Sequence, residues 1–332
     1  MDGTFRALVV SRDAAGGLAV GVQQLRVRED LAENDLLVRV SYSSVNYKDA
    51  LACSPNGNIV RRYPHIPGID LAGTVVRSRD GRFREGDEVL VTGYDLGVGQ
   101  YGGYSEYASI PADWAVRLPT GLTAKEAMTL GTAGFTAALS VLELQQSGVT
   151  PDRGPVVVTG ATGGVGSLAV AMLAGLGYEV AASSGKAELA AYLRELGAAR
   201  VLSREELVPE QPRPLDKQLW AGAVDCVGGK TLGAVLSSTR YGGAVAASGL
   251  TGGTEWTASV FPFILRSVRL IGIDSVQTPM ETRLAVWEQL ASAMKPVGLI
   301  ERIATEIELE QVPDAVRLLL AGQSRGRLVV RL

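Results

Sequence analysis

The stretch VVVTGATGGVGSLAV, residues 156–170, constrains the fold more than any other part of the chain. A run of β-branched residues leads into a glycine cluster and then into small and apolar residues that suit a buried helix. Residues 154–178 carry no charge, and that length can span a bilayer. Pro155 and the crowded glycines argue instead for a strand, a tight turn and a helix inside an α/β sheet, whose strands read as continuous apolar runs. Ala161, Gly163 and Gly166 fill the three small-residue positions of a dinucleotide-binding turn, with alanine at the first. Gly163 lets the backbone approach a pyrophosphate, and Gly166 lets the helix pack closely on the strand. Gly164 and Val165 open the helix, whose free N–H groups and positive dipole end favour phosphate. A glycine triplet alone is a weak signal, equally met by an incidental turn. Its place between a strand and a helix gives it weight.

The surrounding sequence supplies the rest of such a sheet. After VVVTG come YEVAASS, ARVLS, AVDCVGG, GGAVAASGL and VRLIGIDSV, six apolar strands with helical segments between them, which predicts a doubly wound parallel sheet. The first third reads differently. ALVVS, DLLVRVSYSSV, AGTVV, DEVLVTG and SEYASI are short strands separated by turn pairs such as RDG and REG. Composition changes near Thr123, where AKEAMTLGTAGFTAALSVLELQQ is rich in good helix formers. The expected organisation is a β-rich domain over residues 1–124 and a nucleotide-binding domain over 125–276. Residues 277–332 hold only two strand-like runs, ATEIEL and GRLVVRL, and are expected to return to the first domain.

The end of the second strand selects the cofactor. An NAD site places an acid there, about 20 residues past the glycines, to hold the ribose hydroxyl. Here Ser183, Ser184, Gly185 and Lys186 stand in its place. Hydroxyls and a lysine suit a 2′-phosphate that a carboxylate would repel. Arg200, just before the third strand, is a candidate second cation. NADPH is the expected cofactor, although Lys186 alone would read as a solvated residue at a helix start.

The net charge of −3 offers no pull toward nucleic acid or an anionic membrane. Cys53 and Cys226 are the only cysteines, too few for a disulfide framework, so a reducing cytoplasm is expected. The opening MDGTFRALVVSRD does not read as a secretory signal. One histidine, His65, and two scattered cysteines cannot build a zinc site, so no metal is expected. His65, set between prolines, reads as structural. Without a Lewis acid, direct carbonyl reduction lacks its usual polariser. Hydride addition to a double bond conjugated with a carbonyl is easier, because hydrogen bonds can hold the developing enolate.

The blocks SSVNYKDALA, PHIPGIDLAGTV, QYGGYSEYASIPADW, LGTAGFTA, VTGATGGVGS, VDCVGG, YGGAVAASGL and PFILRSVRLIGIDSV run through essentially the whole chain. They resemble quinone oxidoreductase-like medium-chain dehydrogenases/reductases, and NYKD, TAGFTA and PFILR with GIDS resemble the acryloyl-CoA reductase subgroup. The resemblance implies a GroES-like catalytic domain, a Rossmann domain and a homodimer. It places Asn46, Tyr47, Lys48 and Asp49 where zinc relatives begin their metal site, and Gly68, Ile69 and Asp70 where those relatives carry Gly-His-Glu. Tyr47 is then the residue beside the nicotinamide, where its phenol would hydrogen-bond the cofactor, orient the substrate or donate a proton to the α-carbon, or else form an aromatic wall. Asn46 would orient Tyr47 or the ribose, and Asp49 and Lys48 would pair. Gly249, Leu250, Ile264 and Ser275 match late loops lining the cofactor. Arg325 and Gly326 match a segment closing over NADPH. The family more often has arginine at Lys186.

The resemblance points first to zinc-free, NADPH-dependent reduction of a short enoyl thioester, acryloyl-CoA to propionyl-CoA; the alternatives are reduction of quinones or enones, and non-enzymatic NADPH binding. A CoA substrate needs cations for its phosphates, for which Arg61, Arg62 and Lys48 are candidates. The same residues also suit an ordinary solvated loop.

Overall fold

The structure, a computed structural model, describes residues 3–12, 17–31, 33–211 and 213–332, with the side chains of 28 and 29 left aside. Met1, Asp2 and Asp13, on which the reading of the opening segment partly rests, lie outside the described residues. The chain divides into two compact units. One comprises Met1–Thr132, Val276–Ala291 and Ile300–Leu332; the other comprises Ala133–Ser275 and Ser292–Leu299.

The first unit is built on a seven-stranded sheet. Its order runs Ala304–Glu308, Arg327–Arg331, Leu36–Ser44, Asp70–Ser78, Glu88–Thr92 and Val116–Arg117, with Tyr107–Ile110 also paired to Leu36–Ser44. The two C-terminal runs therefore enter the N-terminal sheet, Val329 pairing with Ser44. A hairpin of Thr4–Arg12 and Leu18–Arg26 packs its apolar face on this unit, where Phe5, Leu8, Ile66, Tyr104 and Val330 share one core.

The second unit carries six parallel strands in the order Arg200–Leu202, Val180–Ser183, Val156–Val158, Trp220–Asp225, Thr239–Ala247 and Arg269–Gly272. Numbered along the chain, that is 3-2-1-4-5-6, the doubly wound order of a Rossmann sheet. The central strand Val156–Val158 is fully buried, and helix Gly164–Gly175 buries Leu168 to Leu173. This twelve-residue helix is too short to span a membrane. Helix Ala124–Gln146 is long and apolar enough to do so, but 78% of its apolar window is buried in protein, as in a core helix.

The contact division falls inside that helix rather than near Thr123. Gly131 has φ 50° and interrupts the helical backbone. The next residue, Thr132, is hydrogen-bonded to Asp70, which ties the first turns to the first unit.

Candidate active site

Parallel strands bring all their C-terminal ends to one edge of the sheet, so the segments that follow them share that edge. Four of the predicted segments meet this condition. The glycine turn follows Val156–Val158, Ser184 to Lys186 follow Val180–Ser183, Gly249 and Leu250 follow Thr239–Ala247, and Ser275 follows Arg269–Gly272. Ile264 does not. It lies within helix Phe261–Arg266 and is 68% exposed, so it stands on a helix and not in a late loop.

The glycine turn is sterically enforced. A Cβ on Gly166 would lie 2.4 Å from the Gly160 carbonyl oxygen, so only glycine lets the helix start this close to the turn. The turn is also fastened to the next strand. Ala161 N–H donates to the Ser183 carbonyl at 3.0 Å, and the Thr162 and Ser184 hydroxyls lie 3.1 Å apart. Lys186 N–H donates to Ser184 Oγ at 3.1 Å, which shapes the corner where the acid of an NAD site would stand. Partial burial lowers the Lys186 pKa.

Arg200 lies away from the Ser184–Lys186 corner. Arg200 opens its strand opposite Ala181, two residues before the strand end, and its guanidinium lies 5.9 Å from the centre of the Trp220 ring. Arg204 lies beside that corner. Its guanidinium Nη2 is 2.7 Å from where a Gly185 side chain would begin. The sequence carried the signal: Ser203 and Glu206 form an S-x-x-E capping box, with the Ser203 hydroxyl accepting from Glu206 N–H, and this sets Arg204 at the first helical position.

In the first unit, the segment after strand Leu36–Ser44 builds a buried polar cluster. Asp70 Oδ2 accepts from Ser44 Oγ at 2.6 Å, Asn46 Nδ2 at 2.8 Å and Thr132 N–H at 2.9 Å; Oδ1 accepts from the Thr132 hydroxyl at 2.5 Å. Arg327 donates to Thr129 O, Val45 O, Asn46 Oδ1 and Ser44 Oγ at 2.7–3.1 Å. Burial lowers the Arg327 pKa while Asp70 and Asp49 oppose that shift. A Cβ at Gly131 would meet Asp70 Oδ2 at 2.5 Å and Arg327 Nη2 at 2.9 Å, so the helix interruption at Gly131 makes room for this cluster.

This arrangement changes several sequence expectations. Both ends of the Asn46 side chain are committed to Asp70 and Arg327, so Asn46 orients Tyr47 only by fixing the start of helix Tyr47–Ala52. Asp49 does not pair with Lys48. Its carboxylate accepts from the backbone N–H groups of Asn46, Gly68 and Ile69 at 2.9–3.2 Å. Burial, with the charge of Asp70 added, pushes the Asp49 pKa up to about 7. Burial likewise pushes the Cys53 thiol up to about 12, which makes it unreactive. Tyr47 is the first residue of its helix and 43% exposed. Arg325 is exposed, whereas Arg327, two residues on, is buried. Lys48, Arg61 and Arg62 all line one groove. Among the described residues no three His, Cys, Asp or Glu side chains group as a metal site.

A β-rich unit built on a mixed sheet and a Rossmann sheet with an enforced glycine turn have known counterparts. Residues 32–120 match the alcohol dehydrogenase GroES-like domain, and residues 164–292 match the zinc-binding dehydrogenase family. The chain is 53% identical to the "Putative quinone oxidoreductase YhfP" of Bacillus subtilis, with all of both chains covered. The YhfP crystal structure, with NAD bound, superposes with a TM-score of 0.96 over 99% of this chain and 100% of that one. Acrylyl-CoA reductase AcuI of Ruegeria pomeroyi is 49% identical over 98% of each chain. The yhdH oxidoreductase of Salmonella enterica, solved in complex with NADP, is 48% identical with a TM-score of 0.95, covering 98% of this chain and 99% of that one. The chain belongs to the quinone oxidoreductase-like medium-chain dehydrogenases/reductases, in the branch that includes the acrylyl-CoA reductases. It is an oxidoreductase of that family.

Proposed function

We propose that the chain is an NADPH-dependent reductase of activated carbon–carbon double bonds and that its substrate is a short 2-enoyl-CoA, acryloyl-CoA first, reduced to propionyl-CoA. The observation that carries this reading is the 49% identity to acrylyl-CoA reductase AcuI over nearly the whole of both chains. The glycine turn, the Ser183–Lys186 corner without an acid, and Arg204 fit NADPH. Gly163 to Gly166 would hold its pyrophosphate, and Ser183, Ser184, Lys186 and Arg204 its 2′-phosphate. Gly249, Leu250 and Ser275 would line the same edge, and Arg325 with Gly326 would contact the bound NADPH. NADPH supplies a hydride when bound.

Residues 1–124 with 277–332 serve in this reading as the catalytic domain, and 125–276 as the nucleotide domain. The chain's own contribution to chemistry is positional and protic. The Asp70–Arg327 cluster fixes Asn46 and with it the first turn of the helix that presents Tyr47. The Tyr47 phenol donates the proton to the α-carbon, and the thioester oxygen takes the developing charge. No step in this scheme calls on a metal ion. The enzyme acts in the cytoplasm as a homodimer. The strand Arg269–Gly272 ends the Rossmann sheet, with Leu270 38% exposed. Phe261, Ile264 and Leu265 before it are also exposed, an apolar edge suited to pairing with a second copy. Product analysis by mass spectrometry tests the reaction: propionyl-CoA should form in step with NADPH consumption, and NADPH oxidation without a saturated thioester refutes it.

The likeness to the putative quinone oxidoreductase YhfP favours a second reading, reduction of quinones. It places no demand on phosphate-binding cations in the first unit. Non-enzymatic NADPH binding, the third function open at the outset, gains no support from relatives named as oxidoreductases.

A further inference from the structure

A groove in the first unit has the composition of a binding site. Two contiguous cavities of about 300 and 310 Å³ share Arg61, Asp95, Val98 and Gly99. Lys48, Asn58 and Ile59 complete one, and Arg62 and His65 complete the other. Three other arginines on this unit are paired: Arg6 with Glu106 at 2.9 Å, Arg79 with Glu33 at 3.1 Å and Arg82 with Asp80 at 2.8 Å. Lys48, Arg61 and Arg62 form no ion pair among the described residues. Asp95 is the one carboxylate lining the groove, so three cations face a single acid.

The wall of the groove holds a second, independent feature. His65 is 4% exposed, and its Nε2 is buried without a hydrogen-bond partner. Burial lowers the imidazole pKa, opposed in part by the Gly97 backbone. The ring is therefore neutral, and in the tautomer that carries its proton on Nδ1 the unpartnered Nε2 is an acceptor. An unmet buried acceptor costs free energy until a donor reaches it. The neighbouring loop does not provide one: the N–H groups of Val98, Gly99 and Gln100 all turn back to the Asp95 carbonyl.

We infer that this groove seats the phosphorylated handle of the substrate, a phosphate ester held by Arg61, Arg62 and Lys48 whose adjoining hydroxyl or amide N–H donates to His65 Nε2. A phosphate dianion alone offers no donor for His65, and a quinone offers neither charge nor donor. The diphosphate and pantetheine arm of CoA offers both within a few bonds. The inference rests on the enoyl-CoA reading and deepens it by naming which part of the substrate the first unit recognises.

The test compares acryloyl-CoA with acryloyl-pantetheine, which lacks the phosphates, in the wild-type protein and in an Arg61→Ala/Arg62→Ala variant. Binding of free CoA and of NADPH is measured by calorimetry in parallel. The wild type should prefer the CoA thioester in kcat/KM. The double variant should lose about tenfold or more of that preference and of its CoA affinity, as expected for charge-assisted hydrogen bonds. His65→Phe, which keeps an aromatic ring and removes the acceptor, should weaken CoA in the same direction. Should the histidine variant fail to fold, Lys48→Ala and the arginine pair carry the test.

Equal kcat/KM for the two thioesters in the wild type overturns the inference and leaves the alkene reductase reading standing. An equal fall in NADPH and CoA affinity in the double variant assigns the cations to the cofactor and also overturns it. A wild type that reduces neither thioester removes the enoyl-CoA reading. In that case CoA binding decides the groove alone: binding lost in the variants supports it, and no binding to the wild type refutes it.

Discussion

The Arg327 guanidinium lies 3.8 Å from Asp70 Oδ2, with the two side chains 3% and 0% exposed. Arg327 comes from the last strand of the chain and Asp70 from the middle of the same sheet. Each charge is satisfied by the other and by hydrogen bonds to Ser44, Asn46, Thr129 and Thr132. Removing one partner strands the other. Arg327→Met should therefore cost about 3–5 kcal/mol of stability. Arg327→Lys should also destabilise, because lysine lacks the planar fork that reaches four acceptors. Urea denaturation checks both. A loss under about 1 kcal/mol for the methionine variant would show that the cluster contributes little.

Arg204 should matter to the cofactor and Arg200 should not. Arg204→Ala and Lys186→Ala are expected to weaken NADPH binding by about tenfold each while NADH binding changes little. Arg200→Ala should leave both nearly unaltered. Fluorescence titration of both cofactors measures this. Equal affinity of the wild type for NADPH and NADH would remove the 2′-phosphate assignment, a live comparison because the YhfP structure holds NAD.

Asp49 should leave a mark on the pH dependence of stability. Its pKa of about 7 in the folded protein stands above the ordinary value of about 4. Between those values the folded protein keeps a proton that the unfolded chain has released. Stability from this group therefore falls as pH rises through the window. In Asp49→Asn that slope is absent. The stability difference between wild type and variant should shrink from pH 4.5 to 7.5, and parallel profiles would contradict the raised pKa.

Tyr47→Phe should lower turnover by roughly 100-fold, the scale of a lost general acid, with a much smaller change in NADPH affinity. kcat and kcat/KM should fall together, because proton donation is made only in the transition state. Unchanged turnover would make Tyr47 a wall of the pocket.

The Rossmann unit was legible because its information is local. VVVTGATGGVGS places strand, turn and helix within a few residues, and each following apolar run is one strand of the sheet. The polar cluster was hidden because it is assembled from distant segments. Nothing near Arg327 in sequence marks it as the partner of Asp70 or tells it apart from the exposed Arg325 two residues before. Asp49 and Lys48 are neighbours in sequence, yet the first turn of a helix points their side chains apart, and backbone amides claimed the carboxylate. Arg200 stands at the start of its strand, opposite Ala181, whereas the segments that follow the strands share the binding edge. Composition does not show the break at Gly131, where the backbone of helix Ala124–Gln146 leaves the helical region.

The central claim is the substrate, and parallel kinetics on one preparation tests it most directly. NADPH oxidation is followed with acryloyl-CoA, crotonyl-CoA, free acrylate and benzoquinone. The account predicts that acryloyl-CoA has the highest kcat/KM, far above free acrylate and benzoquinone, because binding of the remote CoA moiety orients the alkene. Efficient turnover of benzoquinone with no reduction of either thioester would contradict it.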